Sequence, residues 1–216
     1  MIELHTYFRS SASFRVRIAL NLKNLPWTPR VVWLTKGEQS GEAFMAINPQ
    51  GFVPALVDDG RVLSQSLAVM EYLDETRPPA TLLPGDAFAR ARVRALSQLV
   101  ACEIHPLNNL RVLKYLKSGL GLDQPAVDAW YRHWCHEGLG ALERELAGSP
   151  LAGRFCHGDA PTMADCCLVP QIFNAKRFDT DLSPFPTVMR VFDACMELPA
   201  FADAQPSRQP EAAEAP

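Results

Sequence analysis

The chain has 216 residues, 48% of them apolar and 21% charged, with a formal net charge of -3. That length suits one large domain or two small ones whose core needs no staples, and the composition excludes disordered, collagen-like and coiled-coil chains. The faintly acidic balance argues against a nucleic-acid partner, and no run approaches the roughly 18 uncharged apolar residues of a membrane span. Met1-Ile2-Glu3-Leu4-His5 has no basic stretch leading into an apolar one, so no signal peptide is visible and the expected location is the cytoplasm.

The first eighty residues alternate between strand and helix signals. Ile2 to Tyr7 reads as a strand, Arg9 to Ser13 as a loop rich in helix-capping residues, and Phe14 to Leu22 as a helix with Phe14, Ile18 and Leu22 on one face. Trp27 to Leu34 predicts a second strand, and Glu42 to Ile47 a short helix stopped by Asn48-Pro49. Val53 to Val57 and Val62-Leu63 flank Asp58-Asp59-Gly60-Arg61, a hairpin signal. Ser64 or Ser66 caps a helix running to Thr76 and ended by Pro78-Pro79. The order is β-α-β-α-β-β-α.

Residues 79–86 form a proline-rich connector, and beyond it strand signals almost vanish. Ala87 to Lys117 predicts one long helix bent near His105-Pro106, and Pro125 to Ala147 a second. Thr162-Met163-Ala164-Asp165 is an acidic capping box opening a helix to about Ala175, and Pro186 to Leu198 is the last helix. The expected architecture is an α/β domain over 1–78, an all-helical domain over 87–205 and a frayed tail over 206–216.

The six cysteines are scattered in a chain too large to need a disulfide framework, and none form a Cys-x-x-Cys pair. Cys135-His136 and Cys156-His157 are neighbours that rarely converge on one ion, so no metal site is expected.

Two segments carry chemistry. Hydroxyls at the Arg9 to Ser13 strand-to-helix junction sit where backbone N–H groups and the helix dipole favour an anion, a thiolate among them; on this loop alone, N-capping is the simpler reading. In Asn48-Pro49-Gln50-Gly51-Phe52-Val53-Pro54-Ala55-Leu56, a proline entering a strand turns the backbone from ladder pairing and leaves the Val53 N–H and C=O to an extended ligand. Gln65 and Ser66, at a helix start, suit a carboxylate.

These segments resemble the cytosolic glutathione transferases, and Ser10-Ser11-Ala12-Ser13-Phe14-Arg15-Val16-Arg17-Ile18-Ala19-Leu20 looks like the zeta-class signature. The likeness extends through His105-Pro106-Leu107-Asn108-Asn109-Leu110-Arg111-Val112-Leu113, Asp165 to Gln171 and Asn174-Ala175-Lys176-Arg177-Phe178, and is greatest to bacterial maleylpyruvate and maleylacetoacetate isomerases. It implies a thioredoxin-like N-terminal domain, an all-α C-terminal domain, a homodimer and a cis Val53-Pro54 bond. Glutathione is the implied cofactor, held by Gln50, Val53, Pro54, Gln65, Ser66 and Asn109, with Ser10, Ser11 and His105 as catalytic residues. The implied substrate is a small dicarboxylic acid, its carboxylates met by Arg9, Arg111 and Arg177 as cations brought into a buried site. His105 either polarises the keto or enol oxygen or is structural. Arg15 and Arg17 read as solvated charges or interface ion pairs. Ala12 stands where zeta proteins usually carry cysteine, and Phe14 where they often carry Trp or His, so no catalytic role for a cysteine carries over.

The implied reaction is cis-trans isomerisation: thiolate adds to the alkene, the resulting single bond rotates, and expulsion of the thiolate leaves the trans acid and regenerates glutathione. A thiol of pKa roughly 8.5 is about 3% ionised at pH 7, and lowering that by about two units takes roughly 2.7 kcal/mol, within reach of one hydroxyl and a helix terminus. A general glutathione transferase, peroxidase or dehalogenase would use the same thiolate. A non-catalytic interaction module of this fold would have no use for the retained Ser10, Gln65 and Ser66.

Overall fold

The computed structural model describes residues 1–79 and 81–214; Ala80 of the expected connector and residues 215–216 of the expected tail lie outside them. Two compact units emerge: residues 1–84 joined by the segment from Met196 onward, and Gly85–Cys195.

The first unit carries a four-stranded mixed sheet. Strands β1 (Ile2–Thr6), β2 (Trp27–Val31), β3 (Ala55–Asp58) and β4 (Arg61–Ser64) lie in the order β2-β1-β3-β4. β1 runs parallel to β2 and antiparallel to β3, with Leu4 opposite Pro29 and Leu56, and β4 returns antiparallel to β3. Pro29 is tolerated because β2 is an edge strand, where a missing N–H costs no ladder bond. β2 stops at Val31, short of the expected Leu34, and β3 begins at Ala55, after the cis Val53-Pro54 bond. This is the thioredoxin-like arrangement.

Helix α1 (Ser11–Leu22) begins three residues earlier than its apolar run suggested, because Ser10 is the cap: its backbone is extended and its Oγ accepts the Ser13 N–H at 3.2 Å. The helix is buried from Ser13 to Leu20 without a polar face. Arg15 and Arg17 lie inside that run, 3% and 0% exposed, which overturns the solvated-charge reading, one of the two the sequence left open for them. α2 (Glu42–Met45) ends before Asn48-Pro49, and α3 (Ser66–Thr76) follows the hairpin. Asp74 of α3 pins the start of the connector: it accepts the N–H groups of Thr81, Leu82 and Leu83 at 2.8–3.1 Å and pairs with the buried Lys23 at 3.0 Å.

In the second unit, α4 (Ala87–Gln98) is capped by Asp86, which accepts the Ala89 N–H at 2.9 Å. The single helix expected to Lys117 is broken instead. A π-helical segment, Leu99–Ile104, gives way to a 3-10 turn, His105–Asn108, then to α5 (Leu110–Lys114) and a second π-helical segment, Tyr115–Gly119. Pro106 lacks an N–H and its ring displaces a carbonyl of the preceding turn, so the ladder slips register there. α6 (Gln124–Ala147) and α7 (Met163–Arg177) follow. The expected capping box opens α7, with Asp165 accepting the Thr162 N–H at 2.7 Å and its hydroxyl at 2.8 Å.

α8 (Pro186–Met196) ends two residues early, before Pro199 opens α9 (Pro199–Ala202). The C-terminal segment is not frayed over its described residues. Two 3-10 turns, Pro206–Arg208 and Pro210–Glu214, hold Gln209 and Glu211 buried, and Gln209 Nε2 donates to the Asp203 and Gln205 carbonyls at 2.9 and 3.1 Å. This segment belongs to the first unit rather than ending the helical one.

Candidate active site

The loop from β1 to α1 presents Arg9, Ser10 and Ser11. The Ser10 N–H donates to the Tyr7 carbonyl at 2.9 Å, closing the turn that carries the side chain to the helix terminus. The capping bond uses one lone pair of the Ser10 oxygen, while its own O–H meets no acceptor among the described residues and stays available to an anion. Ser11 is buried in the first turn. Arg9 is exposed, its guanidinium 5.0 Å from the Phe8 ring centroid.

The second half of this unit's site lies on the loop before β3 and the start of α3. Val53 is 8% exposed, and neither its N–H nor its carbonyl has a partner among the described residues. Buried backbone groups are nearly always paired, so this orphaned pair is an edge shaped for an extended peptide. Gln65, at the head of α3, has φ 69 and ψ 111, a conformation a side-chain-bearing residue adopts only under constraint, and strain of this kind collects at ligand sites. Its Nε2 donates to Gln50 Oε1 at 2.7 Å, which joins two expected cofactor residues. α3 has no side-chain N-cap, so its first-turn N–H groups face outward toward any carboxylate placed there. Ser66 is buried, and its Oγ accepts from Arg15 Nη1 at 3.1 Å. Arg15 thereby ties α1 to the head of α3, a role missed in the sequence because arginine reads as surface by default.

These residues fit glutathione. The orphaned Val53 groups match a peptide backbone, the uncapped α3 terminus matches an α-carboxylate, and the Ser10 hydroxyl at the head of α1 matches a thiolate.

In the helical unit, His105 opens the 3-10 turn and is half-buried, and Asn109 caps α5 by accepting the Val112 N–H at 3.2 Å. Arg111 on α5 and Arg177, the last residue of α7, are both exposed, as Arg9 is, rather than buried. One step of α6 brackets these segments. Trp130 Nε1 donates to the Leu107 carbonyl at 2.8 Å, and the Tyr131 carbonyl accepts from Asn108 Nδ2 at 3.2 Å. On its other side the Tyr131 ring stacks on Phe178, with centroids 3.8 Å apart and planes 9° from parallel. The Arg177 guanidinium lies 5.3 Å from the Phe178 ring centroid. Burial pushes the Tyr131 phenol well above its ordinary range, so it stays neutral beside Arg177. Trp130 and Tyr131 lie outside the quoted motifs and are found only through the packing, whereas Asn108 lies within the His105 to Leu113 segment that carries the likeness.

Among the described residues no group of three or more His, Cys, Asp or Glu side chains is placed to hold a metal, and no helix is long and apolar enough to cross a membrane. Five of the six cysteines are buried, and burial pushes the Cys135 thiol up to about 11, so it is not a nucleophile.

Comparison with known proteins agrees with this geometry. Models of the glutathione S-transferase N-terminal and C-terminal domains match residues 9–76 and 124–194. A maleylpyruvate isomerase of Ralstonia sp is 48% identical over 212 residues, covering 98% of this chain and all of that one. The holo structure of a maleylpyruvate isomerase, described as a bacterial zeta-class glutathione S-transferase, superposes with a TM-score of 0.95 at 48% identity, over 97% of this chain and 99% of that one. A maleylacetoacetate isomerase of Methylobacterium extorquens AM1, solved with malonate and glutathione, gives 0.94 at 44% identity over 99% of each chain. With the thioredoxin-like sheet, the Ser10 helix cap and full-length likeness all in agreement, the chain belongs to the glutathione S-transferase family, in its zeta class.

Proposed function

We propose that this protein is a glutathione-dependent cis-trans isomerase of maleyl acids, acting on maleylpyruvate or maleylacetoacetate in aromatic-compound or tyrosine breakdown. It acts in the cytoplasm as a homodimer. The observation that carries this reading is likeness along the whole chain, at nearly half identity, to proteins named for that activity.

Glutathione supplies a thiol that adds reversibly to the conjugated double bond. Everything else is the work of this chain. Ser10 donates a hydrogen bond from its hydroxyl to the sulfur and, with the α1 terminus, holds it ionised; a hydrogen bond to a charged group contributes about 1.5–3 kcal/mol and a helix terminus about 0.3–1 kcal/mol, the order that two pKa units require. Ser11 supports that turn from the first turn of α1. Val53 offers its unpartnered backbone groups to the peptide, and Gln50, Gln65, Ser66 and Asn109 hold its polar ends. Arg9, Arg111 and Arg177 take the carboxylates of the dianionic substrate, where a guanidinium can bond both oxygens of each. His105 polarises the keto or enol oxygen at the acyl end. Ala12 removes no needed group, since these magnitudes are met without a protein thiol.

The test is a spectrophotometric assay of both maleyl acids with and without glutathione. Turnover of either acid only with glutathione is expected. Turnover of neither, with glutathione bound and a neutral aryl halide conjugated, would replace this reading by that of a general transferase.

A further inference from the structure

We propose that Arg17 and the C-terminal strap over residues 204–214 form a positioning device for the Arg9–Ser10 loop, so that the last turns of the chain govern how well the site ionises its thiol. This rests on the glutathione reading above.

Arg17 is 0% exposed, the largest side chain so thoroughly buried. Its guanidinium gathers the loop from below: Nη1 donates to Thr6 Oγ1 at 3.2 Å and to the Tyr7 carbonyl at 3.4 Å, and Nη2 donates to the Phe8 carbonyl at 3.0 Å. The Tyr7 carbonyl is the one that also accepts the Ser10 N–H, so Arg17 and Ser10 share an acceptor. The remaining bond leaves the loop: Nε donates to the Ala204 carbonyl at 3.0 Å, 187 residues away in sequence. One planar group thus fixes the turn before Ser10 and the entry to the strap together.

The strap answers with charge and packing. Glu211 is buried, its Oε1 meets no hydrogen-bond donor among the described residues, and its negative charge favours the ionised Arg17. Burial lowers the Arg17 guanidinium to about 10 against that attraction. A buried cation needs a compensating charge, and within this unit the strap supplies it. Ala212 packs on the cluster containing Tyr7, Phe8 and Val53, so the strap touches both halves of the expected glutathione site. Phe8 and Arg9 then form one wall of an open cavity of about 600 Å³ whose other wall is Pro206, Ser207, Gln209, Pro210, Ala212 and Ala213.

The test uses the full-length chain as wild type, Glu211→Gln and Arg17→Lys, with two readouts. The first is backbone hydrogen exchange without glutathione. Exchange at the Ser10 and Ser13 amides should rise about tenfold in Glu211→Gln while the β1–β3 ladder keeps its protection. The second is the ultraviolet titration of the thiolate of bound glutathione. Its midpoint should rise by about half a pKa unit, about threefold in the thiolate-to-thiol ratio, with glutathione affinity within about twofold. Should Arg17→Lys fail to fold, Glu211→Gln decides alone. Exchange that is unchanged, or faster everywhere, overturns the proposal. So does selective loosening with an unmoved thiolate midpoint, which would make the strap a structural tie only. A wild type that binds no glutathione strikes the parent reading and, leaving no thiol to tune, this proposal with it; selective loosening in that protein would show a strap tied to the loop and nothing more, so the two failures are told apart.

Discussion

On the proposed function Ser10 performs two jobs with one oxygen, and substitutions can separate them. As a cap it accepts the Ser13 N–H at 3.2 Å. Loss of such a cap to alanine costs about 1 kcal/mol, or about 2–4 °C of melting temperature for a chain of this size, whereas glycine in the same place costs only a few tenths. As a donor, on the proposed function, it would hold the thiolate of glutathione, and losing a hydrogen bond to a charged group costs about 1.5–3 kcal/mol, which raises the thiol pKa by roughly one to two units. Ser10→Ala should therefore lower turnover at pH 7 about tenfold or more, with glutathione affinity little changed. Ser10→Gly should lose as much turnover while melting near wild type, and Ser10→Thr should keep both functions. The turnover deficit has a sign in pH: it is fullest below the thiol midpoint and closes as pH rises above the raised midpoint of the variant. The assay is steady-state kinetics across pH with a thermal melt of each variant. If Ser10→Ala melts lower but turns over normally at pH 7, the hydroxyl is a cap and nothing more.

Arg111→Met and Arg177→Met should each cost about tenfold or more in kcat/KM on a maleyl acid while sparing slow conjugation of a neutral aryl halide; paired kinetics giving equal losses on both substrates would make these arginines structural. The Asp74 carboxyl, desolvated by burial, is nonetheless held below its ordinary value by the N–H groups of Leu82, Thr81 and Leu83 and by Lys23. Its folded value lies below the unfolded value of about 3.9, so its contribution is complete above that pH and lost as pH falls through the folded value. Asp74→Asn should thus cost about 3–5 kcal/mol at pH 7, and the melting gap from wild type should close in acid; a gap constant with pH would refute the linkage. A Cβ added at Gly138 would overlap the buried Ile104 side chain, next to His105, so Gly138→Ala should destabilise by about 1–3 kcal/mol and lower kcat, checked by melting and turnover together.

Where periodicity and turn chemistry agree, the fold was legible in the sequence. The Asp58 to Arg61 hairpin, the Thr162-Asp165 box and the start of α6 all stand where local signals put them, because each is decided by residues within a few positions of one another. One failure is a case where a distant partner decided. The frayed-tail reading of residues 206–214 rested on composition, but Arg17 donates to the Ala204 carbonyl from 187 residues away and Ala212 packs on the cluster of Tyr7, Phe8 and Val53, contacts no local window contains. The single bent helix expected to Lys117 failed locally, through Pro106, where a run of π and 3-10 turns stands in place of the bend.

The arginines show how the site differs from the scaffold. The solvated-charge reading of Arg15 and Arg17 failed because a charge is assigned to solvent unless its helix has no polar face. The run Phe14, Val16, Ile18, Ala19 and Leu20 was the available signal that α1 has none. Once buried, Arg17 has most of its N–H donors occupied by protein acceptors, and withdrawing it to meet a ligand would strand those acceptors without partners. Arg9, Arg111 and Arg177 are exposed instead, so their guanidinium groups carry no large desolvation cost in the free protein. Such cations can surrender water to a dicarboxylate and gain more than they lose, provided the substrate brings the counter-charge. Buried arginines shape the loop, exposed ones are left able to receive a ligand, and the sequence alone distinguishes the two only through the polarity of the helix or loop that carries them.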